Sequence, residues 1–494
     1  MSFILSIDQG TSGTKVIIVN AAGQVVAKGA EVLQTKYFGT GFVEQDPNDI
    51  YSNVLEAVER CLTDFATNGF YKSDIRAIGI SNQRETFVIW DKDGKPLHPA
   101  VVWQCKRSVS ICEELKEKGL SEIVHAKTGL VIDPYFSATK LIWLVQNKPE
   151  IKEGLNKDDV FFGTIDSWLL YKLTDGKEYA TDHTNASRTL FFNIHTLEWD
   201  QELLNHFGLS QLQLPAVKSS SEYFGETTID GLLDHHVPIM SMIGDSHAAA
   251  FGEGCFDSGT AKATLGTGSS IMMNIGDQPV SSKNGMVTTI CWSIPSCVNY
   301  ALEGVIVTCG ATIEWLKNEI GLFADIKATA DMALSVPDNG GVYLVPAFSG
   351  LGSPHWQMDR KASITGMTFG TNKNHIVRTA LESIPYQIKD VINAMEKDTK
   401  LVLKQLMTNG GLSSNKFVMS FLTDVLNKPV SKSVMADVSA LGAAYMAGLA
   451  TGVFKDIKAL RNLKVDKELL NPSNNVQKTQ QWYEGWINII ENKI

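Results

Sequence analysis

The sequence has no surplus of basic residues. Across 494 positions Asp and Glu outnumber Lys and Arg, and the formal net charge is -10. Nucleic-acid binding is carried by basic surface, so that class of partner is not expected. No apolar run is long enough to span a membrane. Met1-Ser2-Phe3 leads straight into a strand pattern, so a signal peptide is not expected either. The seven cysteines (Cys61, Cys105, Cys112, Cys255, Cys291, Cys297 and Cys309) are odd in number and scattered. None has C-x-x-C spacing, which favours free buried thiols in a reducing cytoplasm over a thiolate metal site. A Walker-type phosphate loop is also missing. What remains is an ordinary globular composition, 44% hydrophobic and 20% charged, long enough for two or more domains.

One stretch organises the chain: Leu5-Ser6-Ile7-Asp8-Gln9-Gly10-Thr11-Ser12-Gly13-Thr14-Lys15-Val16-Ile17-Ile18-Val19. Two β-branched runs flank a tip of glycines and hydroxyls, the pattern of a β-hairpin. Gly10 and Gly13 let backbone approach a ligand closely. Successive backbone N–H groups with Thr11, Ser12 and Thr14 suit phosphate oxygens, and Lys15 adds a cation. Asp8, at a strand end, suits a metal ion carried in by those phosphates. The same idea returns at Ala263-Thr264-Leu265-Gly266-Thr267-Gly268-Ser269-Ser270-Ile271-Met272-Met273. Two such hairpins, one per half, can grip a polyphosphate from both sides, and they mark a weak internal duplication.

Residues 3–31 read as a three-stranded meander. A helix follows, with Asp46 as N-cap and Pro47 at its first position. Strands then alternate with helices through residue 250, giving a sheet with covering helices. Ligands of such sheets sit beyond strand ends, which draws attention to Asp8, Arg84-Glu85, Trp103-Gln104, Asp166 and Asp245. A second half is expected to start near Val237. Later, Asn409-Gly410-Gly411 precedes a helix over 416–426, a second helix N-terminus open to a ligand.

Several of these stretches together resemble the FGGY carbohydrate kinases, and within them the glycerol kinase branch. The resemblance is carried by Ser81-Asn82-Gln83-Arg84-Glu85-Thr86, Val102-Trp103-Gln104-Cys105, the run from Thr128 to Ser137, and Thr184-Asn185-Ala186-Ser187-Arg188-Thr189. The family's first signature is complete from Tyr135 to Asn147. Its second is nearly complete from Ser363 to Glu382, with Thr379 where Ala or Ser is usual.

The resemblance implies an α/β fold of two actin-like (ribonuclease H-like) domains, 1–250 and 251–494, with a catalytic cleft between them. It implies ATP and Mg2+ as cofactors, a small polyol or sugar as acceptor, and a cytoplasmic homo-oligomer. Asp245 matches the catalytic base. Arg84, Glu85, Trp103, Tyr135 and Asp245 match the polyol contacts. Thr11, Ser12, Gly13, Lys15, Gly266, Thr267 and Gly268 match the phosphate hairpins. Gly310, Gly411 and Asn415 match the adenosine site, where Glu314 replaces a usual glutamine. Asp8 is the expected metal ligand, with Asp245 beside it. Two residues depart from the branch: Ser246 replaces a glutamine, and Ser270 replaces a phenylalanine packed on glycerol. Both remove volume, so the expected acceptor is glycerol or a related, somewhat larger polyol or ketose.

Phosphoryl transfer needs positioning and charge neutralisation more than covalent help, and a carboxylate can take the proton of the attacking hydroxyl. Asp245 suits that role and also reads as a helix N-cap. Arg84 and Glu85 offer a vicinal diol a donor fork and an acceptor. His247 is expected to line the cleft or cap the helix, and Asp166 to support the site from behind. The turn over 230–236 lacks arginine, so an anionic effector is not expected there. A nucleotide-driven actin-type protein would need no such acceptor pocket, and a non-catalytic sugar sensor would be expected to lose Asp245 or the hairpins.

Overall fold

The computed structural model describes residues 2–435, 437–463 and 467–491. The meander forms as expected: Phe3–Gly10 pairs antiparallel with Gly13–Asn20, which pairs with Val25–Val32. Phe3–Gly10 also pairs in parallel with Ile75–Asn82, and that strand in parallel with Val237–Gly244. An antiparallel edge strand, Ser221–Thr227, completes a six-stranded sheet. The helix Pro47–Thr67 covers one face of the meander. Asp46 caps it by accepting from Asn48 N at 2.8 Å, with Pro47 in the first turn.

The second sheet repeats this plan. Thr260–Leu265 pairs antiparallel with Ser269–Gly276, and that strand with Cys297–Ile306. On its other side Thr260–Leu265 pairs in parallel with Gln405–Asn409, followed by Val430–Ser433 and an antiparallel edge, Lys467–Leu470. One extra strand, Val287–Ile294, extends the far edge. The duplication suggested by the two hairpins is therefore a duplication of sheet topology.

Two differences from the sequence reading follow from packing. Val237–Gly244 is not the start of a second half; it is a central strand of the first sheet. The helix Val438–Ala450, late in the chain, packs on that same first sheet. Ser6 Oγ, Ser241 Oγ and Ser221 Oγ donate to the Ala440, Ala443 and Met446 carbonyls at 2.6, 2.7 and 2.8 Å. It crosses the helix Asp245–Gly252 at Gly252 and Gly442, where a Cβ on Gly252 would meet the Gly442 nitrogen at 2.9 Å. The small-residue run around Gly442 is thus explained by a close helix crossing. Thr379 is accommodated because its hydroxyl donates to the Val342 carbonyl at 2.9 Å and accepts from Leu344 N at 3.0 Å.

All seven cysteines are free, and all but Cys297 are buried. Among the described residues no helix is long and apolar enough to cross a membrane.

Candidate active site

Three neighbouring parallel strands end side by side in the first sheet. Asp8 stands near the end of the first, Arg84 and Glu85 just past the second, and Asp245 just past the third. Their side chains meet at one edge of the sheet and face the second hairpin across a cavity of about 450 Å³. Arg84, Glu85, Trp103, Tyr135, Asp245, Ser246 and Ser270 line it. So do Asp8, Thr11, Lys15 and Gly268. Ser12, Gly13, Gly266, Thr267, Gly310, Glu314, Gly411 and Asn415 lie outside this lining.

The wall around Arg84 and Glu85 rests on four buried charges. Arg84 holds Glu303 in a fork, Nη2 to Oε1 at 2.9 Å and Nη1 to Oε2 at 3.3 Å. Arg188 bridges both acids, Nη2 to Glu303 Oε2 at 2.9 Å and Nε to Glu85 Oε1 at 2.6 Å. Burial alone would push the Glu303 carboxyl up, but Arg188 and Arg84 outweigh it and hold the group well below the usual range. For Glu85 burial outweighs Arg188 and Arg84, and with Glu303 adding to the rise its carboxyl is raised. Its backbone sits at φ 60°, a strained value for a side-chain-bearing residue. Strain of this kind collects at ligand-binding positions.

Trp103 and Tyr135 meet edge to face, centroids 5.5 Å apart. The Trp103 indole N–H donates to Thr11 Oγ1 at 2.9 Å, and Thr11 donates on to Gln83 Oε1 at 3.2 Å. Thr11, expected as a phosphate ligand, therefore also anchors Trp103. Lys140 is buried and donates to the carbonyls of Pro134, Tyr135 and Phe136 at 2.8, 2.6 and 3.0 Å, fixing the Tyr135 loop. Burial lowers this amine to about 8.

Asp245 is not the helix N-cap. Gly244 is, and Asp245 takes the first helical position, its Oδ1 accepting from Ser246 N at 2.6 Å. Arg84 Nε lies 3.2 Å from the same oxygen, and the side chain remains 39% exposed toward the cavity. Asp8 accepts from Ser81 Oγ at 2.9 Å. Burial and the charge of Asp245 push its carboxyl up to about 7. A buried carboxyl raised in part by a second acid beside it fits a divalent cation. Among the described residues no group of three or more acids, histidines or cysteines would hold a metal alone.

The wall opposite the aromatics is more polar than the two serines suggested. Lys262 donates to Ser246 Oγ at 2.5 Å and to Thr264 Oγ1 at 3.1 Å. Ser270 donates to Glu303 Oε1 at 2.9 Å, and the two serine hydroxyls stand 3.4 Å apart. Ser246 and Ser270 not only remove volume; each has a charged protein partner.

The second hairpin tip serves its own domain as well. Its Gly266 and Thr267 carbonyls accept from the N–H groups of Gly310, Cys309 and Ala311. These are the first donors of the helix Gly310–Asn318, so that helix start is pinned to the hairpin. Asn415 caps its helix through Phe417 N and Val418 N, and donates to Thr329 Oγ1 at 3.1 Å. Glu314 is exposed and accepts only from Asn318 among the described residues. His247 neither lines the cavity nor caps the helix. It is buried beneath Arg84, and burial together with Arg84 and Arg188 keeps the ring neutral.

Asp166 sits deeper than a support for the cleft. It accepts from Thr164 Oγ1 at 2.5 Å and Thr181 Oγ1 at 2.6 Å, neither of which lines the cavity. Burial and then Asp182 push it up to about 7. The folded state therefore binds a proton that the unfolded chain releases near pH 4, so this group lowers stability as pH rises from 4 to 7. Asp166→Asn removes that slope. Calorimetric melts should show the variant gaining most over the parent at pH 8 and the gain vanishing near pH 4. A pH-independent difference would show that Asp166 does not titrate on unfolding.

Two ribonuclease H-like sheets flanking a polar cleft, with a Gly/Thr hairpin from each, define an actin-like phosphotransferase architecture. The chain matches the FGGY family of carbohydrate kinases, N-terminal domain, over residues 3–252, and the C-terminal domain over 261–451. The chain belongs to this family. It is 44% identical to glycerol kinase 2 of Thermotoga maritima, over 98% of this chain and 97% of that one. It is 44% identical to the glycerol kinase of Halothermothrix orenii over the same shares. Among solved structures it superposes on Plasmodium falciparum glycerol kinase with ADP at a TM-score of 0.93, with 34% identity, covering 100% of this chain and 98% of that one. It is a glycerol kinase-like phosphotransferase with an alcohol group as acceptor.

Glu303, Arg188, Lys262 and Lys140 were not singled out from the sequence. Arg188 and Lys140 lie inside the stretches that carry the resemblance, and Lys262 and Glu303 each stand as a lone charge inside an apolar strand run. Such a charge reads as solvent-facing until a second domain is known to cover it.

Proposed function

We propose that the protein transfers the terminal phosphoryl group of ATP, bound with Mg2+, to a terminal hydroxyl of glycerol or a closely related polyol. The carrying observation is that Asp245 opens on the same cavity as Arg84, Glu85, Trp103 and Tyr135 and as Thr11, Lys15 and Gly268. In this reading Arg84 and Glu85 bind a vicinal diol, while Trp103 and Tyr135 cover its carbons. Asp245 takes the proton from the attacking oxygen. Lys15 and the two hairpins hold the phosphates. Ser12, Gly13, Gly266 and Thr267 extend that grip, and Gly310, Glu314, Gly411 and Asn415 would border the adenosine. Asp8 and Asp245 would hold the Mg2+, whose chemistry here is neutralisation of phosphate charge. Incubation with ATP, Mg2+ and a panel of polyols tests the reading: ADP and a polyol phosphate should appear together. Nucleotide binding without transfer to any polyol would overturn it.

The Ser246–Ser270 wall favours a second acceptor. A hydroxylated wall backed by Lys262 and Glu303 suits four- and five-carbon polyols or ketoses, whose extra hydroxyls find partners there. On this reading kcat/KM for such acceptors exceeds that for glycerol. Ser270→Phe restores apolar cover of a three-carbon ligand, an effect of roughly 1.5–3 kcal/mol. The preference should then move toward glycerol by about ten- to a hundredfold. A tenfold lead for glycerol in the parent, or no shift in the variant, returns the assignment to glycerol alone.

A further inference from the structure

Asn409 ends the strand Gln405–Asn409 and lines the cavity, two residues before Gly411. Gly410 follows at φ 90°, where a Cβ would meet the Leu265 backbone at 2.6 Å. The Asn409 backbone is therefore fixed against the second hairpin, and only the orientation of its amide is open. Asn409 Nδ2 donates to Glu253 Oε1 at 2.9 Å. Glu253 follows the helix that begins at Asp245 and is 2% exposed. An ionised carboxylate accepts only, so the amide must turn its NH2 inward and its oxygen outward. Asn409 Oδ1 has no partner among the described residues.

We propose that Glu253 is a positioning residue for nucleotide binding, holding Asn409 so that its amide oxygen accepts from a ribose hydroxyl. The inference rests on the kinase reading above. Glu253 has the means to change state. Its Oε2 is buried without a partner, and so is the hydroxyl of Tyr445. Both residues line a separate cavity of about 230 Å³, with Lys467 and Arg461 on its rim. Lys467 Nζ donates to the Glu253 carbonyl oxygen at 2.6 Å, and Arg461 pairs with Asp257. The cavity is roomy enough for several waters, each taking about 30 Å³. The charged groups facing the Glu253 carboxyl are Lys262 and Lys467; burial outweighs both and raises it to about 7. A protonated Glu253 carries one O–H donor beside one accepting oxygen, so it no longer dictates which way the Asn409 amide faces. The Asn409 amide is then free to reverse and offer NH2 to the cavity, so the accepting oxygen that the carboxylate holds outward is no longer fixed.

The test is calorimetric ADP binding to the full chain between pH 6 and 8. At pH 8 Glu253→Met and Asn409→Ala should each weaken ADP about tenfold, the worth of one hydrogen bond, with acceptor KM unchanged. Glu253→Gln still accepts from Asn409, so it should bind ADP within about twofold of the parent at pH 8. It should also lose the parent's weakening toward pH 6. An ADP analogue lacking both ribose hydroxyls should bind the parent and Glu253→Met alike. If Glu253→Met does not fold, Asn409→Ala and Glu253→Gln decide. Parent-like ADP affinity in Asn409→Ala, or a parent-like pH slope in Glu253→Gln, overturns the proposal. Failure of the kinase reading would appear separately, as a parent protein that does not bind ADP.

Discussion

Asp245→Asn should lower turnover by about two to four orders of magnitude, the usual cost of removing a general base, while nucleotide affinity and melting temperature change little. The argument is geometric. Asn keeps the oxygen that accepts from Ser246 N, so the first turn of the helix Asp245–Gly252 stays formed. Gly244, not Asp245, caps that helix, so no cap is lost. What disappears is a partly exposed carboxylate on the cavity, between Arg84 and the phosphate hairpins. Single-turnover assays with saturating ATP and polyol, alongside ADP calorimetry, separate the chemical step from binding. A variant keeping more than about a tenth of the parent rate would remove Asp245 from the role of base.

Glu303→Gln should be the most destabilising conservative change near the site. Glu303 is 2% exposed and is the shared acceptor of Arg84 and Arg188, each also buried. Breaking a buried ion pair by removing one partner costs roughly 3–5 kcal/mol, because the charge left behind is uncompensated. Here two guanidinium groups are left, Arg188 with Glu85 and Arg84 with the partly exposed Asp245. Ser270 also loses the carboxylate it donates to. The expected result is a large drop in the denaturant midpoint at pH 7, with acceptor binding lost as Arg84 shifts. Because the Glu303 carboxyl lies well below the usual carboxylate range, this stabilisation persists in the parent from neutral pH down to mild acid and fades only as pH falls through that depressed value. The gap between parent and variant should therefore be full at pH 7 and still present at pH 5. A loss under about 1 kcal/mol would mean that solvent reaches the guanidinium groups once Glu303 is neutral.

These two residues show where sequence reading succeeds and where it stops. Asp245 was legible because it follows an apolar run and precedes small helical residues, a local pattern. Asp8, Arg84 and Glu85 were legible for the same reason, and parallel pairing of their strands accounts for their convergence. Glu303 was not legible. It lies inside the strand Cys297–Ile306, where an isolated charge looks like a residue facing water. Its burial is supplied by Arg84 and Arg188, more than a hundred positions earlier in the chain. Asp166 erred the other way: strand-end position suggested the cleft, and packing placed it against Thr164 and Thr181 instead.

By itself the sequence determined the two Gly/Thr hairpins, the meander beginning at Phe3, the capped helix after Asp46, and the acids and aromatics at strand ends. Each depends on alternation, turn residues or caps within a few positions, so neighbouring residues suffice. Only the tertiary structure decided that the helix Val438–Ala450 returns to the first sheet, that Lys262 and Glu303 back Ser246 and Ser270, and that Glu253 orients Asn409. Those contacts join residues far apart in the chain. Their energetics come from desolvation, which makes an unpaired buried charge costly and a paired one obligatory. Burial of that kind is a property of the assembled sheets and helices, and no local pattern contains it.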